Sequence, residues 1–264
     1  MTTIMTSRLH NNQGYTLIEL MVSMVLSLFL MAGMVQLFIG TRHVSQVQDS
    51  LSRVQENGRF ALDLISRELR KTGYKTDPFL ANTDAFPAVD NLNGEAAADF
   101  VAGQVIWGTD NMVIVRYLGT GAGAGDGLIQ DCRLVNLAAG NIASIKLRVN
   151  NSNQLVCQSV NATSGTTVEE VLVNDVESMV VTYGEDTSAD TITNPYTTLY
   201  RNAASVVSWN NIMSVRVQLL LVTADNNLIE APQSYRFNGA TTLATDNKLR
   251  RSYSTVISLR NRLP

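Results

Sequence analysis

The longest pattern in the sequence is an apolar run close to its start. Residues 20–41 contain no charged side chain. A helix of that length spans roughly 30 Å, which is enough to cross the hydrocarbon core of a bilayer. A secretory signal peptide has a shorter apolar region, about 7–15 residues, followed by a small-residue cleavage site. This run is longer and no such site follows it, whereas a plain signal anchor remains open on hydropathy alone.

The apolar pattern continues past residue 41 with the period of an α-helix. One face carries apolar or small side chains at alternating spacings of three and four, namely Val44, Val47, Leu51, Val54, Gly58, Ala61 and Ile65. The face widens over residues 60–69, which predicts packing against its own domain rather than a coiled-coil linker. Basic residues 70 and 71 are typical of the last turn of a helix, and Gly73 is typical of the position where a helix ends. We therefore expect one helix from Tyr15 to about Thr72.

The rest of the chain has the patterning of strands. Residues 74–102 are loop-like, with prolines, asparagines and aspartates. Strands are predicted at residues 105–107, 112–118, 128–135, 144–149, 155–160, 168–173, 176–183, 214–221 and 252–259. The predicted fold class is α+β: a long N-terminal helix, with a transmembrane half and an amphipathic half, packed on an antiparallel β-sheet head.

Composition excludes several classes of function. With 264 residues, 45% of them hydrophobic, the chain can bury one sizeable core. Its net charge of −3 and lack of a basic stripe argue against a nucleic-acid partner. The two histidines, His10 and His43, lie outside the predicted head, so no histidine is left there for a triad or a metal site. We expect no enzyme activity and no cofactor.

Two loops resemble ligand sites only superficially. The glycine-rich stretch 119–127 lacks the Lys-Ser/Thr ending of a phosphate-binding loop and precedes a predicted strand, so a flexible loop is expected. Asp186 and Asp190 carry carboxylates that could bind calcium, but their spacing fits no defined calcium loop. No metal site is predicted.

The chain has two cysteines, Cys132 and Cys157. They are expected to form a disulfide if the head is exported, and to remain thiols if it is cytosolic. The N-terminus decides which compartment applies.

Residues 14–20, Gly-Tyr-Thr-Leu-Ile-Glu-Leu, combine a glycine, an apolar run and one acid at fixed spacing. This motif resembles the prepilin cleavage and methylation motif of type IV pilins and type II secretion pseudopilins. The resemblance implies that a prepilin peptidase cuts between Gly14 and Tyr15 and that the new amine of Tyr15 is methylated. Tyr15 stands where phenylalanine is commoner, and the leader carries one firm positive charge, Arg8, plus His10.

The resemblance also gives Glu19 a role. A carboxylate at the start of a membrane segment is costly and usually faces a partner. In the family this glutamate lies at the fifth position of the mature chain, where it can pair with the amine of a neighbouring subunit and set its axial register.

Three further segments, residues 58–70, 209–221 and 253–261, resemble the larger minor pilins of the PilW type and the related pseudopilin J. A minor, tip-proximal subunit that takes part in filament initiation is implied. Its implied partners are the prepilin peptidase, other minor pilins and the major pilin. The implied location is the bacterial inner membrane, with the N-terminus cytoplasmic and the head periplasmic, and then the filament.

The expected division of the chain is a cleaved leader over residues 1–14, a membrane half over 15–41, an amphipathic half over 42–73 and a β-rich head over 74–264. Two alternatives remain open: a type II secretion pseudopilin, and a membrane-anchored surface binding protein without a filament role.

Overall fold

The computed structural model describes residues 14, 16–95, 98–160, 167–188 and 195–262. The chain divides into two compact units, residues 1–48 and 49–264. Helix α1, Leu17–Arg70, runs uninterrupted through 54 residues. It ends as expected: Gly73 adopts a φ of 72°, which glycine accommodates without strain, and its N–H donates to the Arg116 carbonyl at 2.9 Å.

The second unit carries the remaining elements. Among its described residues, a one-turn helix α2, Asn82–Ala85, is followed by eleven strands, which are β1 Ile106–Gly108, β2 Met112–Leu118, β3 Ile142–Val149, β4 Gln154–Val160, β5 Thr167–Asn174, β6 Val176–Glu185, β7 Leu199–Arg201, β8 Ile212–Val222, β9 Ser234–Phe237, β10 Ala240–Leu243 and β11 Arg250–Ser258. Short 3₁₀ turns cover Leu92–Gly94, Ala203–Ser205, Trp209–Asn211 and Arg260–Arg262. The α+β class is confirmed.

The strands form two main sheets and a hairpin, with antiparallel pairing throughout. The first sheet has the order β1-β2-β3-β4-β5, the second β11-β8-β6-β7, and β9 pairs with β10. The longest ladder without a register shift joins β11 to β8, from Arg250 opposite Val222 to Ser258 opposite Ser214. The clearest alternation in the sequence, residues 214–221, thus became a central strand.

The main core joins the amphipathic part of α1 to both large sheets. Val54, Ala61, Ile65 and Leu69 are at most 2% exposed and lie in one cluster with inward side chains of both sheets. At Gly58 a Cβ would lie 2.6 Å from the Tyr253 ring of β11, so the absence of a side chain permits this close contact between helix and sheet. The predicted packing of this half on its own domain is present.

Strand β2 is buried at all seven positions. Its odd-numbered residues, such as Val115 and Tyr117, belong to the main core. On its other face, Ile114 clusters with Phe100 and Leu118 with Phe86, and both phenylalanines belong to segment 82–105. This segment therefore forms a second layer over the sheet, although the sequence predicted only a loop there.

The strand predicted at residues 128–135 is wrong. The structure has one isolated bridge there, between Gln130 and Asn136. The Asp131 carboxylate accepts the N–H groups of Arg133 at 2.9 Å and Val135 at 3.0 Å, and the turn it closes holds Leu134 at a φ of 62°. Side-chain bonding of an aspartate to its own backbone competes with a ladder, and here it wins.

Candidate functional site

Helix α1 begins with a reciprocal pair of bonds between Thr16 and Glu19. The Thr16 N–H and hydroxyl donate to Glu19 Oε2 at 3.1 and 3.0 Å, and the Glu19 N–H donates to the Thr16 hydroxyl oxygen at 3.3 Å. This is a capping box, in which residue N3 returns to the N-cap. The pattern Thr-x-x-Glu is visible in the sequence, but the role predicted for Glu19 was confined to subunit contacts.

The capping box fixes where the helix starts relative to the motif. Leu17 is the first helical residue and Gly14 is exposed, with open space where a Cβ would stand. The bond between residues 14 and 15 therefore precedes the helix. The structure of Tyr15 itself lies outside the described residues.

Helix α1 is long and apolar enough to cross a membrane, by length and composition. Over residues 20–41 the hydroxyls are satisfied within the helix, because Ser23 and Ser27 donate to the carbonyls of Leu20 and Met24 and Thr41 to that of Leu37, each at 2.9 Å. This back-bonding lets serine and threonine reside in an apolar segment without a partner from outside.

At its other end, α1 contributes a buried charge to the head. Glu68 is 1% exposed; it accepts from Lys71 Nζ at 2.7 Å and from the Tyr117 hydroxyl at 2.9 Å. Lys71 Nζ also donates to the Gln130 carbonyl at 2.7 Å and lies 4.7 Å from the Tyr117 ring centroid. Burial, with the nearby Glu68 charge, raises the pKa of Tyr117 well above its usual value, whereas burial lowers the pKa of Lys71. No local pattern in the sequence indicates this cluster, since Glu68 and Tyr117 are 49 residues apart.

The loop over residues 119–141 is also fastened to the first sheet. Cys132 and Cys157 form a disulfide with a Cα–Cα distance of 6.4 Å. Beside it, the Ser159 hydroxyl of β4 donates to Asp131 at 3.0 Å. In the chain-entropy model, a disulfide that closes the loop between residues 132 and 157 contributes about 3 kcal/mol to the free energy of unfolding.

The loops considered as ligand sites hold no cluster of metal-ligating side chains among the described residues. Asp186 accepts from the Ser188 hydroxyl at 2.6 Å and from the Tyr196 N–H at 3.1 Å, so it closes its own loop. Asp190 lies outside the described residues. In the glycine-rich stretch, Asp126 accepts from the Thr120 hydroxyl at 2.6 Å, which makes this a closed turn.

Comparison with known proteins identifies the family. The family model of the Type IV Pilus-assembly protein W matches residues 144–261, which begin within strand β3 and continue past β11. The model of the prokaryotic N-terminal methylation motif matches residues 9–35, around the capping box. The two matches support a PilW-type minor pilin.

No curated protein sequence matches this PilW-type chain. Among solved structures, a type IV-like pilin from Thermus thermophilus is similar to it at 15% sequence identity, with a TM-score of 0.47. The alignment covers 80% of this chain and 98% of that one. The family is structural rather than enzymatic, and its methylation motif implies a membrane-anchored substrate of a prepilin peptidase that assembles with other pilins.

Proposed function

We propose that this PilW-type pilin takes part in initiating a type IV pilus and lies close to the filament tip. One observation carries the proposal: the methylation motif and the PilW match lie on the same chain. The size of the head adds support. Residues 74–264 are far more numerous than those of the helix, and a bulky head is easier to place where no full ring of subunits lies above it.

Processing is expected between Gly14 and Tyr15, releasing the leader 1–14 and leaving a methylated amine on Tyr15. The capping box supports this site because it starts the helix only at Leu17, so that a peptidase need not unwind the helix to reach the bond. N-terminal analysis of assembled protein should find Tyr15 first, and retention of residues 1–14 would contradict the proposal.

The expected topology is a single pass through the inner membrane by residues 15–41, with the N-terminus in the cytoplasm. Residues 42–73 then form the amphipathic half, and the head lies in the periplasm before assembly. The disulfide between Cys132 and Cys157 is consistent with an exported head, because disulfides persist in oxidising compartments.

We infer two roles for Glu19, a cap within its own chain and a register contact with a neighbour. Both bonds from Thr16 go to Oε2, and a carboxylate offers about four acceptor positions. The carboxylate can therefore keep its cap and still accept the cationic amine of a neighbouring Tyr15. In an apolar bundle a misplaced subunit would leave both charges unpaired, so the pair favours a single axial position.

Three variants separate the two roles. Glu19→Gln retains an oxygen for the Thr16 N–H but loses the charge, Glu19→Ala loses both, and Thr16→Val loses only the hydroxyl. If the charge sets the register, both Glu19 variants incorporate into filaments at least roughly tenfold less, an expected cost of about 1.4 kcal/mol or more, while Thr16→Val incorporates normally. Normal incorporation of Glu19→Gln would mean that Glu19 acts only as a helix cap and does not set the register.

The position in the filament is tested by deletion and by counting subunits. Deletion should abolish surface pili while leaving protein secretion intact, and sheared pili should contain few copies relative to the main pilin. Loss of secretion with normal piliation would favour the pseudopilin alternative. An abundance like that of the main pilin would contradict the tip-proximal position.

A further inference from the structure

Both tryptophans of the chain line one cleft in the head. Trp107 belongs to β1 and Trp209 to a 3₁₀ turn before β8, and their ring centroids lie 6.1 Å apart with planes inclined by 39°. The cleft has a volume of about 330 Å³, and its other lining residues are Gly108, Thr109, Asp110, Ala203 and Ala204. This volume is at the lower end for ligand sites, so it suits a single functional group rather than a large molecule.

The rings of Trp107 and Trp209 form the aromatic wall of the cleft, and residues behind them hold this wall in place. The Tyr183 ring meets Trp209 edge-on at 4.8 Å, and its hydroxyl lies 2.9 Å from the Thr109 carbonyl and 3.0 Å from that of Met112. A Cβ at Gly108 would overlap the Tyr183 hydroxyl, so a glycine is needed at this position. A wall fixed in this way loses little entropy when a ligand binds.

One edge of the cleft carries a negative charge. Asp110 is exposed, and its Oδ1 accepts the Ala203 N–H at 2.7 Å, which leaves most of its acceptor capacity open. Within the described part of the chain, no lysine, arginine or histidine forms an ion pair with Asp110. The carboxylate is therefore held in position without a counter-ion.

Indole faces and a carboxylate select the same ligand chemistry. The face of an aromatic ring is electrostatically negative and attracts cations, most strongly when the ring is indole. The two rings are too close for a cation to enter between them, since that needs about 7 Å, so the cation lies across the wall beside Asp110. We propose that this cleft binds an organic cation, an ammonium or guanidinium group, supplied by a basic side chain of another protein or by a free amine.

The experiment uses the tryptophan fluorescence of the full chain in a non-ionic detergent that contains no sugar. Because the sequence has two tryptophans and both line the cleft, the signal reports on this site alone. The probes are butylguanidinium and the capped peptide Gly-Arg-Gly. Their matched neutral controls are butylurea and the same peptide with citrulline in place of arginine. We expect saturable changes with the cationic probes and at least fivefold weaker responses with the neutral ones.

Variants test the residues. Asp110→Asn keeps an oxygen for the Ala203 N–H and removes only the charge, so affinity should fall roughly three- to tenfold. Trp107→Phe should also weaken binding while leaving Trp209 as reporter. Glu170→Gln removes an exposed charge from β5 and should bind like the parent. Unfolding curves matching the parent's show that each variant is folded.

The outcomes separate the two sources of the cation. Binding of the peptide as tightly as butylguanidinium supports a side chain of a partner protein, and binding of the small cation alone supports a free amine. The proposal is overturned if neither cationic probe gives a saturable change. It is also overturned if the urea probes respond equally, or if Asp110→Asn binds like the parent.

Discussion

The buried cluster of Glu68, Lys71 and Tyr117 should respond to substitution in a way that no surface ion pair does. Glu68→Leu removes the carboxylate and leaves the Lys71 ammonium with the Gln130 carbonyl as its hydrogen-bond acceptor and the Tyr117 ring beside it, but with no carboxylate partner. Breaking one side of a buried pair costs about 3–5 kcal/mol. The Lys71 side chain is 17% exposed, so hydration recovers part of that cost. We expect a loss of about 3 kcal/mol, at the low end of the range.

The reverse change should be similarly costly, and the double change should not. Lys71→Met leaves the buried Glu68 carboxylate with only the half-exposed Arg67 Nε, 4.0 Å away, as its counter-ion, although the Tyr117 hydroxyl still donates to it. Glu68→Leu combined with Lys71→Met removes both charges, and apolar replacement of a whole buried pair is often close to neutral. The loss in the double variant should therefore be smaller than the sum of the single losses by about 2 kcal/mol or more.

The assay is urea unfolding of the oxidised full chain in detergent, followed by tryptophan fluorescence. Both tryptophans lie in the second unit, so the signal follows the head. The pair between Arg148 and Glu169 is a matched control, because its side chains are 32% and 36% exposed. Breaking it with Glu169→Leu should cost about 1 kcal/mol at most. Single losses of that size at Glu68 and Lys71, or additive losses in the double variant, would refute the reasoning.

Two further predictions concern packing and alkaline pH. Gly58→Ala improves helix propensity by about 1 kcal/mol, but the added methyl group overlaps the Tyr253 ring, and overpacking typically costs about 1–3 kcal/mol. Thermal unfolding should therefore show a net loss of stability, which Tyr253→Ala relieves. A Gly58→Ala variant that is more stable than the parent would contradict the contact. Burial raises the pKa of both Tyr117 and Tyr183 well above 10. The folded state therefore keeps two protons that the unfolded state releases, and stability should fall above pH 10 by about 1.4 kcal/mol per pH unit for each tyrosine. In Tyr117→Phe, stability should fall less steeply with pH than in the parent. An unchanged slope would contradict the raised pKa of Tyr117.

The sequence predicted the parts of the fold that depend on local periodicity. The single long helix, its end at Gly73 and most strands follow from apolar spacing of 3.6 or 2 residues, because burying one face determines the element. The hairpin of β9 and β10 carries a usable signal that was not among the predicted strands. Its turn is Asn238-Gly239, and both residues adopt positive φ, as a type I′ turn requires.

Other features depend on residues that are distant in the sequence. Strand order brings Tyr117 of β2 to Glu68 and places Trp107 beside Trp209, and periodicity does not encode strand order. The failure at residues 128–135 has a different cause. There the apolar residues favour a strand, but the Asp131 carboxylate offers its own backbone a better set of hydrogen bonds. At the N-terminus, Glu19 belongs both to the Thr-x-x-Glu pattern of a capping box and to the cleavage and methylation motif. Only its contact with a neighbouring subunit was predicted.

The burial of β2 on both faces has a consequence for how sequences of this kind can diverge. A strand covered on one side has alternate positions at which polar residues can be exchanged freely. Strand β2 has no such positions, and even its one charged residue, Arg116, is 1% exposed and donates to the Pro87 carbonyl at 2.9 Å. Edge strand β5, exposed at its first five positions, is free to drift. Among relatives, β2 should therefore exchange its residues only for others of similar volume, whereas the exposed positions of β5 should accept a wider range of side chains.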